Sequence, residues 1–178
     1  MYAEILDFWF KEIDRSQWWA KDSDLDQLIA TRFSGLHGQA NCCELFQWRQ
    51  SAKGRLAEIL LLDQFSRNMF RDTPLAFASD VLALALSQEA IANNADEQLS
   101  SAERSFLYMP YMHSESRKIH QVAVTLYENN GIQSNLDFEI KHKAIIDKFG
   151  RYPHRNAILG RASSPAEIEF LRQPGSTF

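Results

Sequence analysis

Apolar residues recur at helical spacing along most of the chain. Ile5, Phe8, Trp9 and Ile13 form one stripe within Ala3 to Ile13, with Asp7 and Lys11 opposite. Asp22 or Ser23 is placed to cap a second helix striped by Leu25, Leu28, Ile29 and Phe33, which is expected to fray between Gly35 and Gly38. A short piece over Glu44 to Arg49 carries Leu45, Phe46 and Trp48. Ser51 then opens a helix through about Arg67, with Leu56, Ile59, Leu60 and Leu62 apolar and Asp63 on the same packed side. Thr73-Pro74 gives a cap followed by proline at the first helical position, for a helix to about Asn93. Ser100 with Glu103 forms a capping-box pattern for a helix to Met109, and Pro110 is expected to end it.

The pattern continues with Ser114 to Asn129, where Ile119, Val122, Ala123 and Leu126 face inward and Gly131 breaks the helix. Leu136 to Phe149 follows, with Phe138, His142, Ile145 and Phe149 on one face and Gly150 as the terminal glycine. Ser164, Pro165 and Glu167 start a last helix to Arg172, before a polar tail from Gln173 to Phe178. Sustained period-2 alternation and Asn-Gly or Asp-Gly turns are lacking. The expected class is all-α, with about eight or nine helices in antiparallel pairs, in a single helical-repeat-like domain over residues 1–178.

Composition agrees. A chain of 178 residues with 45% hydrophobic and 12% aromatic residues can bury a core, and roughly 70% of the unfolded surface at this size. A net charge of −4 argues against nucleic-acid binding, which needs a basic face. The pattern gives no membrane span, and the acidic N-terminal stretch is unlike a secretory signal, so a cytoplasmic protein is expected. Cys42 and Cys43 are adjacent and read as reduced thiols. No metal-ligand spacing, Walker loop or Gly-x-Gly-x-x-Gly is present, so neither metal nor cofactor is expected.

Three constellations could carry chemistry. The segments Leu61-Leu62-Asp63-Gln64-Phe65-Ser66-Arg67 and Ile145-Ile146-Asp147-Lys148-Phe149-Gly150-Arg151 are near copies, each tied to an Arg-Asn pair, Arg67-Asn68 and Arg155-Asn156. In each, a carboxylate precedes a guanidinium by four residues, the spacing at which helix side chains meet. Two readings stay open: ion pairs that close helix ends, or Asp63 and Asp147 orienting Arg67 and Arg151 toward a shared cavity, where arginine captures carboxylate or phosphate. The second constellation is Tyr108-Met109-Pro110-Tyr111-Met112-His113-Ser114-Glu115. It is either a packing elbow or a histidine–carboxylate pair; if the helix already holds at His113, then His113, Arg117 and His120 share one helical side. The third is Pro153-His154-Arg155-Asn156 with Arg161, a cationic run interleaved with Tyr152, Ile158 and Leu159 that fits an anion site.

These motifs, with Asp7-Phe8-Trp9-Phe10 and Phe149-Gly150-Arg151-Tyr152-Pro153-His154-Arg155-Asn156, resemble those of the bacterial family known as domain of unknown function 924. The similarity spans nearly the whole chain. It departs at Ser66, where the family has proline. The resemblance implies a tetratricopeptide-like helical array, and no catalytic residue or cofactor. The duplicated motif independently suggests recurring helices.

The resulting expectation is a binding module whose concave pocket holds a small anionic molecule or a peptide carboxylate. Its residues would be Asp63, Arg67, Asn68, Arg71, His113, Glu115, Asp147, Arg151, His154, Arg155 and Asn156. The alternatives are a hydrolase or transferase using a histidine–carboxylate pair in the same pocket, or a scaffold for a protein partner.

Overall fold

The structure is a computed structural model and describes residues 1–176; Thr177 and Phe178 of the expected polar tail lie outside the described residues. Among the described residues all regular structure is helical. Helix α1 (Tyr2–Asp7) runs into a π-helical turn, Phe8–Glu12, whose Phe8 and Trp9 are buried. Helix α2 (Ser23–Asn41) is capped by the Asp22 carboxylate and continues past Gly35 and Gly38 without fraying. Its inward stripe of Leu25, Ile29 and Phe33 also carries His37, whose Nε2 meets Ser66 Oγ at 2.8 Å. Packing of that stripe offsets the low helix propensity of glycine.

Helix α3 (Ala52–Leu60), a π-helical turn (Leu61–Phe65) and α4 (Ser66–Met69) form one continuous rod, as the apolar spacing predicts. The wider π turn lies in the centre of the core, with Leu61, Leu62, Asp63 and Phe65 all buried. Helix α5 (Asp80–Ala92) begins later than expected. Pro74–Phe77 is a separate 3₁₀ turn, and Ser79 precedes the helix with φ −95° and ψ −1°. The segment Pro74–Ala92 is long and apolar enough to cross a membrane, with mean hydropathy 1.4. Here it is broken after the first turn, and α5 packs against α3 and α6.

Helix α6 (Ser101–Met112) has the predicted capping box, with Ser100 N–H donating to Glu103 Oε2 at 2.9 Å. Pro110 lies inside it instead of ending it. Burial of the whole run Phe106–Met112 holds the last turn together despite the missing donor. Helix α7 (Arg117–Asn130) therefore starts later than Ser114, and His113 is the C-terminal cap of α6. Helix α8 (Gln133–Phe149) and α7 end at Gly150 and Gly131, with φ +71° and +76°, the left-handed geometry that glycine adopts without strain. Helix α9 (Pro165–Leu171) carries the predicted Ser164–Glu167 box.

Helices α6, α7 and α8 pack in series, and α1, α2, α3 and α4 form the other half. This arrangement is compatible with a tetratricopeptide-like array. Aromatic rings fill the centre, where Phe8, Phe33 and Phe65 meet at centroid separations of 5.0–5.9 Å. Some apolar residues assigned inward face outward: Phe46 and Phe138 are exposed, as are Leu28 and Val122.

Gly54 shows how tightly the start of α3 is set. A Cβ there would lie 2.1 Å from the Trp48 carbonyl oxygen and 2.8 Å from its carbon. Both are backbone atoms in the preceding turn, so neither can swing aside. Gly54→Ala should destabilise the protein by about 1–3 kcal/mol in urea unfolding, despite alanine's better helix propensity. A gain in stability would show that the turn gives way.

Candidate functional site

The π turn in the central rod places Asp63 at the bottom of a buried charge cluster. Asp63 Oδ1 accepts from His113 Nδ1 at 2.7 Å, and Oδ2 accepts from Gln64 Nε2 at 2.6 Å. One helical turn on, Arg67 Nη1 lies 3.2 Å from Oδ1 and donates to the Asp63 carbonyl at 2.7 Å. The i,i+4 contact expected from the sequence is thus present in the first copy. Arg67 Nη2 reaches across to Asp80 at the start of α5, 3.0–3.1 Å from its carboxylate oxygens. Asp80 also accepts from Arg155 Nη1 at 3.2 Å, across 75 residues of sequence.

These contacts fix the charge states. Burial raises the Asp63 carboxyl, but Arg67 and His113 outweigh it and hold the group well below the ordinary carboxylate range. An ionised carboxylate only accepts, so His113 carries its proton on Nδ1. Burial and then Arg67 push the imidazole below the usual histidine value despite Asp63. His113 is therefore neutral at pH 7, with its lone pair on Nε2. No hydrogen bond among the described residues reaches that nitrogen.

Arg155 is held differently from the other arginines of these motifs. Its guanidinium lies over the rings of Phe77 and Tyr152, 4.6 Å from each centroid. The side chain is 7% exposed. Nη1 donates to Asp80, Nε is buried without a partner, and Nη2 makes no hydrogen bond among the described residues. Burial, and then the neighbouring Arg67, draw it below the ordinary arginine value.

Above these groups lies a cleft of about 290 Å³. Its polar lining is Asp80, His113, Ser114, Glu115 and Arg155. Its apolar lining comes from Phe77, Val81, Leu84, Pro110 and Leu159, with Pro74 and Ala78 completing the wall. Glu115 is itself forked onto Arg161 at 2.6 and 2.9 Å and accepts the Tyr152 N–H at 2.7 Å. Behind the cleft, His120 Nδ1 meets the buried Glu139 at 2.6 Å, and Tyr152 donates its hydroxyl to the Met112 carbonyl at 2.5 Å. The His142 and His154 rings also flank Tyr152 at 5.7 and 5.5 Å.

The remaining residues singled out in the sequence lie elsewhere. Arg71 forks onto Asp26 in α2 at 2.6 and 2.7 Å, and Asn68 donates to the same carboxylate at 2.8 Å. The expected pairing of Asp147 with Arg151 does not form. Gly150 turns the chain out of α8 in the left-handed region, so Arg151 is not on the next helical turn. Asp147 pairs with Lys143 at 2.5 Å, and Arg151 forks onto Glu167 of α9 at 2.7 and 2.8 Å. Arg151 and Glu167 border a wider depression of about 560 Å³, but there both groups are already matched. Asn156 donates to Ser163 and accepts from Arg161, tying the 3₁₀ turn Pro153–Arg155 to the segment before α9.

Three cluster residues lie outside the site set expected from the sequence: Asp80, Phe77 and Tyr152. Asp80 looks like an ordinary acidic first-turn residue, because its partners are remote in sequence. Tyr152, between Arg151 and Pro153 of the most distinctive motif, was the readable signal. Among the described residues no group of three His, Cys, Asp or Glu side chains is placed to hold a metal ion.

Residues 5–175 match the family described as bacterial proteins of unknown function (DUF924). The chain is similar to a solved protein of unknown function from Agrobacterium tumefaciens, with 38% identity, a TM-score of 0.91 and 96% of each chain covered. No curated protein matches it.

The near copies give a paired test. Asp63→Asn removes the charge that matches Arg67 and holds His113, and should cost about 3–5 kcal/mol of stability. Asp147→Asn touches an exposed i,i+4 pair and should change stability by no more than about 0.5 kcal/mol. Equal losses in denaturant unfolding would contradict the distinction.

The histidines set the response to acid. Burial lowers His142 to about 3 and His154 to about 4, against about 6.5 in the unfolded chain. Between those limits the unfolded state binds more protons, so stability falls as pH drops from about 6.5 toward 4. Thermal unfolding should show a lower Tm at pH 5 than at pH 7. An unchanged Tm across that range would mean that these rings titrate normally.

Proposed function

The chain belongs to the DUF924 family of bacterial proteins of unknown function, so its activity has to be read from its own cleft, and we propose that this cleft binds a small anionic molecule or a peptide carboxylate through Arg155. The observation that carries this reading is the state of the Arg155 guanidinium. It is almost fully buried, held over two aromatic rings, and has one hydrogen bond to a carboxylate that it shares with Arg67. Arg67 and Arg71 each make two hydrogen bonds, Arg151 makes three and Arg161 four. A guanidinium carries five donors in a fixed fork, and buried donors normally find partners. Arg155 thus supplies a preorganised cation with capacity to receive a carboxylate or phosphate oxygen.

A second reading rests on the Asp63–His113 pair at 2.7 Å. A buried carboxylate on Nδ1 orients the ring and leaves Nε2 as a general base, with the arginines stabilising developing negative charge, as a hydrolase or transferase would need.

Titration calorimetry with acetate, benzoate and inorganic phosphate tests the binding reading. At least one should bind. Arg155→Lys, which keeps the charge and removes the fork, should weaken it by about 10- to 100-fold, the loss expected for a charge-assisted hydrogen bond. Arg151→Lys, at the other depression, should leave binding unchanged. If no anion binds, or if the Arg151 variant behaves like the Arg155 variant, the cleft is not the site.

A further inference from the structure

Granting that the cleft binds an anion, its walls narrow the class. One side is apolar and continues to the surface: Val81 is 82% exposed at the outer edge, and Phe77, Leu84, Pro110 and Leu159 line the same wall. The opposite side is charged, but its charges are nearly matched. Asp63 and Asp80 balance Arg67 and Arg155, and Glu115 balances Arg161. His113 adds no further cation, because burial and Arg67 keep it neutral.

Only the unfilled donor capacity of Arg155 favours an incoming negative group. A second negative charge on the ligand would face Asp80 or Glu115, both on the lining, and like charges at short range in a partly buried site repel strongly. The cleft, at about 290 Å³, has room for one ring or a short chain with its head group.

From the apolar wall, the single under-satisfied guanidinium and the two carboxylates beside it, we infer that the ligand class is a compact monocarboxylate with an apolar body. Its head group lies on Arg155, and its ring or chain lies along Val81, Leu84 and Leu159. The neutral Nε2 of His113 accepts a hydrogen bond from any hydroxyl or amide N–H that the ligand carries near the head group. A phosphate dianion fits less well, because it brings two charges and no apolar surface.

Calorimetry with the full chain separates these cases. Benzoate should bind at least 10-fold more tightly than acetate, which lacks the apolar body, and than inorganic phosphate, which adds charge. Benzamide, isosteric and uncharged, should bind at least 10-fold more weakly than benzoate. Val81→Asn, at an exposed position, removes apolar surface without adding charge, and should weaken benzoate at least 3-fold and leave acetate within twofold. Phosphate binding as tightly as benzoate would overturn the monocarboxylate class while leaving the anion cleft standing. Benzamide matching benzoate would overturn both, since the head group would then not matter. No binding by any probe would remove the underlying reading.

Discussion

The structure depends on one carboxylate, Asp80, being shared by two guanidiniums, the half-buried Arg67 and the buried Arg155. Arg67 comes from the central rod, and Arg155 from the turn after α8. Two cations beside one anion would be unstable in a low-dielectric interior. Asp63 resolves this by matching Arg67 from the opposite side, and it is kept ionised by that arginine and by His113. The group therefore has to be assembled complete. Each carboxylate is tolerable because a guanidinium is present, and each guanidinium because a carboxylate is. The fold bends to allow it. The 3₁₀ turn Pro74–Phe77 and the break before Asp80 bring Phe77 and Asp80 together at the start of α5. The π turn holds Asp63 in the core centre.

Much of the architecture was legible because its signals are local. Capping boxes at Ser100 and Ser164, the proline at Pro165 and the glycines at Gly131 and Gly150 act within one helical turn, and the structure has them where the sequence places them. The departures arise where tertiary packing overrides a local rule. Pro110 stays inside α6 because the run Phe106–Met112 that surrounds it is buried. Helix α2 passes Gly35 and Gly38 because its apolar stripe is packed. Outward-facing Phe138 and Val122 show the converse limit: helical spacing assigns a face, and only the neighbouring helices decide whether that face is covered.

The near copies show how much of a site such reasoning reaches. Both motifs carry Asp and Arg four residues apart, and the contact forms in one. The difference is the residue before the arginine. Ser66 stays helical and donates its hydroxyl back to the Leu62 carbonyl at 2.7 Å, so Arg67 returns over Asp63. Gly150 leaves the helix, and Arg151 turns to Glu167. Spacing implies contact only while the helix continues. Arg155 was readable as part of a cationic run, but its carboxylate partner was not, because no periodicity links positions 75 residues apart.

The same electrostatics weigh the two functional readings. A general base works best with a pKa near the operating pH. In a histidine–carboxylate pair, the carboxylate's field raises the basicity of the ring. Asp63 is only partly available for that, since Arg67 draws on the same oxygen and also acts on the imidazole directly. The net effect, with burial, lowers His113 instead of raising it. Nε2 is therefore a better hydrogen-bond acceptor than proton acceptor. Arg155, meanwhile, remains under-satisfied in the protein alone, and a bound carboxylate would offset part of the desolvation that folding imposes on it. The cluster suits holding a ligand in place more than removing its proton.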